Sequence, residues 1–163
     1  MNWEAISAIS EAGGVLAVIV TLGYLAVQIR YARMAVTDEN RLARSEGVRG
    51  MLLAMAHDPN LAKLWLKATG AEAAYKSLGD GWDMNAEDAL RIDFASLYWM
   101  WLHWSAFASL KTKEDEVELE HLISEFYSVP PVSDSWKNSP YGRNLLDKKF
   151  VRFVDAAIAK KKK

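Results

Sequence analysis

The chain has 163 residues, 51% of them hydrophobic, with 20 Lys and Arg against 21 Asp and Glu and a formal net charge of −1. That balance argues against both the basic field of a nucleic-acid binder and an acidic solvating tail, so no nucleic-acid partner is expected. Cysteine is absent, which rules out disulfides, thiolate metal sites and a cysteine nucleophile, and suits a reducing compartment.

The first element is the stretch over residues 12–29, AGGVLAVIVTLGYLAVQI, whose only ionisable group is the phenol of Tyr24. As a helix it spans roughly 27 Å, close to the thickness of a bilayer's hydrocarbon core, and it is expected to be a transmembrane anchor. A cleaved signal would need a basic n-region, but the residues before the run carry Glu4 and Glu11 and no Lys or Arg. The arginines follow it instead, at Arg30, Arg33, Arg41, Arg44 and Arg49. Positive flanks stay cytoplasmic, which places the N-terminus outside and the rest of the chain inside; Trp3 and Tyr31 suit the two interfaces. The competing reading is a buried helix of a soluble protein, because the run is at the short end for a span.

Along the anchor, Ser10, Gly14, Ala17, Thr21, Tyr24, Gln28 and Tyr31 recur at alternating steps of four and three. Every member is small or polar, while most other positions are Val, Leu or Ile. Helices in lipid associate by close packing and hydrogen bonds across small residues, so this seam is expected to meet protein, either a second copy or another membrane subunit. Chance is the alternative, since small residues are common in membrane helices.

The helical pattern continues over residues 31–56, with Val48, Leu52 and Met55 at helical spacing, and breaks at His57-Asp58-Pro59. Asn60 is the expected cap of a short helix over 61–69 that carries Leu61, Leu64 and Trp65 on one face, with Gly70 as its stop. A second short helix covers 71–78, and Gly79-Asp80-Gly81 reads as a turn. Asn85, with Asp88 three residues on, opens the central helix in a variant of the capping box.

Residues 94–110, FASLYWMWLHWSAFASL, contain no fixed charge. Helices apolar all round are buried in a core or in lipid. The shortness of this run, and Asp93 and Lys111 at its ends, favour a core helix over a second span. Tyr98, Trp99, Trp101 and Trp104 could also present an aromatic docking surface. Residues 111–118 read as a charged connector. Residues 117–127 form a helix with Leu119, Leu122, Ile123 and Phe126 on its stripe, broken by Val129-Pro130-Pro131. Residues 133–138 read as polar loop around Trp136. Ser139 and Pro140 read as the cap and first position of the last helix. That helix buries Leu146, Phe150, Phe153, Val154, Ala157 and Ile158 on one face. Its tail, Lys160, Lys161, Lys162 and Lys163, complements the helix dipole and could meet anionic lipid. No strand-like alternation and no repeat appear. The expected fold is all-α: a membrane anchor over residues 1–30 and a helical cytoplasmic domain over 31–163.

Three further motifs resemble those of a broad group of uncharacterised bacterial membrane-anchored helical proteins. After the start Asn2-Trp3-Glu4-Ala5-Ile6 and the anchor end Tyr24-Leu25-Ala26-Val27-Gln28-Ile29-Arg30, the chain has Asp58-Pro59-Asn60-Leu61-Ala62-Lys63-Leu64-Trp65, Arg91-Ile92-Asp93-Phe94 and Phe150-Val151-Arg152-Phe153-Val154-Asp155. The resemblance runs almost end to end, although each motif is short. It implies a bacterial inner-membrane protein with a helical cytoplasmic part, and it brings no activity with it. The helix over 94–110 is more aromatic than the group's pattern, which would suit a specialised docking surface.

Signatures of catalysis are missing. There is no phosphate-binding loop, dinucleotide fingerprint, nucleophile elbow or paired-histidine zinc motif. Glu118 and His121 share a helix face at the spacing of di-iron bundles, but those sites need a second such pair and two more carboxylates. His103, amid Trp101, Leu102 and Trp104, reads as a buried histidine satisfied by a hydrogen bond. Asp80, Asp83, Asn85 and Glu87 lack calcium-loop spacing. No catalytic residue, metal or cofactor is therefore assigned, and whether the chain is an enzyme stays open. Two function classes remain: an accessory or scaffold protein assembling through its membrane helix, and an anchored enzyme or ligand binder with an aromatic pocket near Trp99, Trp101, His103 and Trp104. The lack of convergent polar residues favours the first.

Overall fold

The computed structural model describes residues 3–161, leaving aside the side chains of residues 5, 6, 8–10, 12, 38 and 41. Among the described residues the chain is helical throughout, with no strand. Seven α-helices follow in order: α1 (Trp3–His57), α2 (Pro59–Thr69), α3 (Glu72–Asp80), α4 (Ala86–Ala108), α5 (Lys113–Phe126), α6 (Val132–Asn138) and α7 (Lys148–Lys161), with a 3-10 turn, Arg143–Leu145, before the last. The chain forms two units, Met1–Arg41 and Leu42–Lys163.

The described part of the first unit is helix alone. Among the described residues one helix, α1, is long and apolar enough to cross a membrane by length and composition, and none of its apolar window is buried by the chain. Val15, Leu16, Ile19, Val20 and Leu22 are each more than half exposed.

The second unit is built around α4, which packs against α2, α3, α5 and α6, while α7 closes on α5. Ala89, Leu90, Phe94, Leu97 and Met100 fall at helical spacing and are buried, so the uncharged run is the core of the body, as its length and flanking charges imply. Leu66 from α2, Tyr75 from α3, Ile123 from α5, Trp136 from α6 and Phe150 from α7 complete that core, together with Leu52 and Met55 from the last turns of α1. Arg91 donates from Nε to the carbonyl of Ala56 at 2.9 Å, satisfying one of the carbonyls left open at the end of α1.

Several boundaries differ from the sequence expectation, each for a local reason. Asp58, not Asn60, caps α2: its carboxylate accepts from the backbone N–H of Asn60 at 2.9 Å and Leu61 at 3.3 Å, and Pro59 takes the first helical position. The interruption at Pro59 therefore costs only one residue between helices. Gly70 ends α2 in the left-handed conformation, φ 66°, as expected of a glycine stop. Gly79 is helical rather than a turn residue. A Cβ there would sit 2.5 Å from the carbonyl oxygen of Met84, so glycine is required by the close return of the chain into α4. Asn85 caps α4 as expected, accepting from the N–H of Asp88 at 2.9 Å.

The charged stretch after residue 111 is not a connector. Thr112 and Asp115 form a reciprocal capping box, and α5 starts at Lys113. Residues 132–138 are helix α6, not polar loop, with Trp136 buried. Ser139 does not start the last helix; its hydroxyl turns inward, and Asp147 supplies the acceptor for the N–H of Lys149 at 2.7 Å where α7 begins.

Candidate functional site

Gly14, Ala17, Thr21, Tyr24 and Gln28 are all exposed; the side chain of Ser10 lies outside the described residues. The Thr21 hydroxyl donates to the carbonyl of Ala17 at 2.8 Å, within its own helix. Its donor is thus satisfied within the helix, and what it can offer a neighbouring helix is small size and an acceptor lone pair. Among the described residues the side chains of Tyr24 and Gln28 make no hydrogen bond to the chain, which leaves the phenol and the amide as donors on this face.

The four aromatic residues of the expected docking surface divide. Trp99 is 42% exposed and lies against Phe126 of α5, with ring centroids 5.3 Å apart. Tyr98, Trp101 and Trp104 are half-buried against the core. The guanidinium of Arg49 lies over the Tyr98 ring at 5.8 Å, and Trp101 meets Trp104 edge to face at 5.4 Å. The backbone beneath them is pinned by a serine pair: Ser105 donates to Ser45 at 2.5 Å, and Ser45 donates to the carbonyl of Trp101 at 3.3 Å. Sequence spacing gave no sign of this pair, whose members stand sixty residues apart.

His103 is buried, and its Nδ1 lies 3.3 Å from the Tyr127 hydroxyl. Burial pushes the imidazole down to about 4 and the phenol up, so both groups are neutral near pH 7 and the bond is structural. The unfolded imidazole takes up its proton near 6.5, so below that pH the unfolded chain binds more protons than the native one. The contribution of His103 is therefore intact above pH 6.5 and is lost as pH falls towards 4. Urea unfolding of the wild type and a His103→Gln variant should give curves whose stability difference changes over that window; parallel curves would show that His103 stays solvated.

Among the described residues the buried carboxyl is that of Asp93 of α4. Tyr75 and Ser139 each donate a hydroxyl to its Oδ2 at 2.7 Å. Its Oδ1 and the nearby Ser135 Oγ make no hydrogen bond. Burial pushes the carboxyl above its ordinary range; the hydroxyls of Ser139, Tyr75 and, more loosely, Ser135 oppose this without reversing it. Because Oδ2 already accepts twice, a neutral Asp93 carries its proton on Oδ1. The group joins α3, α4 and the chain after α6. It is sealed from solvent, which suits a structural tie and leaves a substrate no access.

Glu118 and His121 are exposed on α5, and among the described residues no three His, Asp or Glu side chains converge as metal ligands. The lysine tail is partly committed: Lys160 pairs with Glu120, and Lys161 pairs with Glu125 at 2.7 Å, drawing the end of α7 onto α5. Lys162 and Lys163 lie outside the described residues. No family model, curated protein or solved structure matches this chain.

Proposed function

We propose that this chain is a membrane-anchored accessory or scaffold protein that assembles through its N-terminal helix, with a second copy or as a small subunit of a larger membrane complex. The anchor lies in the inner membrane of a bacterial cell, with the N-terminus outside and the helical body in the cytoplasm. The observation that carries this reading is the full exposure of the apolar window of α1, near the N-terminus. So much contiguous apolar surface needs lipid or protein around it. The arginines that follow set the orientation. The small and polar face over Gly14, Ala17, Thr21 and Gln28 is the one suited to a helix partner, since a polar amide facing lipid is costly.

The test combines fractionation with crosslinking in cells. The protein should stay in carbonate-washed membranes, and a C-terminal reporter should be active only in the cytoplasm. Gly14→Ile combined with Thr21→Val should abolish crosslinking of the anchor helix, because a branched side chain at Gly14 holds the backbones apart. A double variant that assembles like the wild type would remove the seam as an interface. A reporter active in the periplasm would reverse the topology.

A further inference from the structure

We propose that Arg30 and Arg33 form a site for the phosphate of an anionic phospholipid, on the face of the anchor helix turned away from the small-residue seam. The inference rests on the membrane reading above and adds a ligand to it. A shallow groove runs along one side of α1, lined by Ala26, Ile29, Arg30, Arg33, Met34 and Thr37. Its first part is apolar and belongs to the end of the apolar run; its second part carries two guanidinium groups. The rise per residue sets Arg30 and Arg33 about 4.5 Å apart along the axis, close enough for both to reach one phosphate. Neither makes an ion pair among the described residues. The Thr37 hydroxyl is already committed to the carbonyl of Arg33 at 2.9 Å, so recognition falls to the arginines.

Helical geometry separates this groove from the seam. At about 100° per residue, the midpoint between Arg30 and Arg33 lies about 170° around the helix from the mean direction of Gly14, Ala17, Thr21, Tyr24 and Gln28. One side of the helix can therefore meet protein while the opposite side holds lipid. Guanidinium groups suit phosphate because their planar forks bind it bidentately. Two of them against one phosphodiester leave a net positive charge, which repels the ammonium of a zwitterionic headgroup and favours a headgroup without one. Ala26 and Ile29 then lie beside the upper acyl chain. Phosphatidylglycerol fits this chemistry. The lysine tail fits it less well, because Lys160 and Lys161 are already paired with carboxylates.

The experiment uses the full chain, extracted in mild detergent and reconstituted into nanodiscs with equal amounts of phosphatidylglycerol and phosphatidylcholine, followed by native mass spectrometry of retained lipid. The wild type should retain phosphatidylglycerol selectively, and Arg30→Gln with Arg33→Gln should lower that retention by about tenfold. Lys148→Gln with Lys149→Gln removes the same charge from exposed positions on α7 and should leave retention unchanged. Equal retention in the arginine variant overturns the site, and so does an equal loss in the lysine variant, which would reduce the effect to overall charge. Wild-type protein released from cell membranes by carbonate would overturn the membrane reading and this site with it. Protein that stays in the membrane but retains no lipid selectively overturns the site alone.

Discussion

Asp93→Leu is expected to destabilise the helical body by about 2–6 kcal/mol. The substitution leaves the hydroxyls of Tyr75 and Ser139 buried without an acceptor, at about 1–3 kcal/mol for each stranded donor. Both donors sit 2.7 Å from the same carboxyl oxygen, so one change strands both. Asp93→Asn should behave in the opposite way. The amide oxygen can take both hydroxyls, and the amide nitrogen has the unbonded Ser135 Oγ to donate to. The sign of the pH dependence follows from burial. The unfolded carboxyl loses its proton near 3.8, whereas the native carboxyl holds it to higher pH. Wild-type stability contributed by Asp93 is thus complete below 3.8 and declines as pH rises through the native value. Asp93→Asn should lack that decline and be the more stable protein at neutral pH. Urea unfolding in mild detergent, followed by tryptophan fluorescence across the pH range, measures this. A pH-independent difference between the two proteins would place the carboxyl in water.

Trp136→Ala should cost about 3–5 kcal/mol, the usual range for removing a large aromatic from a core. Trp136 is 2% exposed. Its ring meets Tyr127 edge to face at 5.2 Å and Phe150 at 6.3 Å, and its Nε1 donates to Asp155 Oδ1 at 2.9 Å. Arg143 lies over the ring at 5.4 Å and bonds Asp155 Oδ2 at 2.7 Å, so indole, carboxylate and guanidinium form one closed group linking α6 to α7. Trp136→Phe keeps an aromatic ring and most of the apolar volume but loses the indole N–H with part of the bicycle, leaving one Asp155 oxygen to its Arg143 neighbour and water. Its cost should be smaller, about 1–2 kcal/mol, from one hydrogen bond and a small loss of packed volume. Thermal unfolding of the two variants side by side separates packing from hydrogen bonding; equal losses would mean that the indole N–H matters more than the ring.

The central helix was legible because it depends on local signals. Asn85 with Asp88 marks its start, and apolar spacing from Leu90 to Met100 marks its buried face. The start of α5 was missed although Thr112 and Asp115 form a recognisable capping pair: the charges of residues 111–118 suggested solvated connector, but charge at a helix N-terminus is compatible with the helix dipole. Helix α6 was missed because Val132 to Asn138 is short and polar, and what makes it helical is the burial of Trp136 against α5 and α7. Ser139 shows the same limit in reverse. Its pairing with Pro140 has the form of a helix start, but a buried carboxyl forty-six residues earlier takes its hydroxyl instead.

What the amino-acid sequence determined by itself is therefore everything that lies along one helix: the all-α class, the N-terminal apolar run, the arginines behind it, and the placement of small residues and arginines on opposite sides of α1. These follow from residue type and a fixed 100° step, and need no second element. The tertiary structure alone decided which aromatic residues of α4 are covered and which, like Trp99, are left exposed. It also decided that Asp93, rather than any surface carboxylate, would be the buried acid, and that Lys160 and Lys161 would meet Glu120 and Glu125. Those outcomes depend on which helices come to lie side by side, and the burial and pairing that fix them arise between residues far apart in the chain.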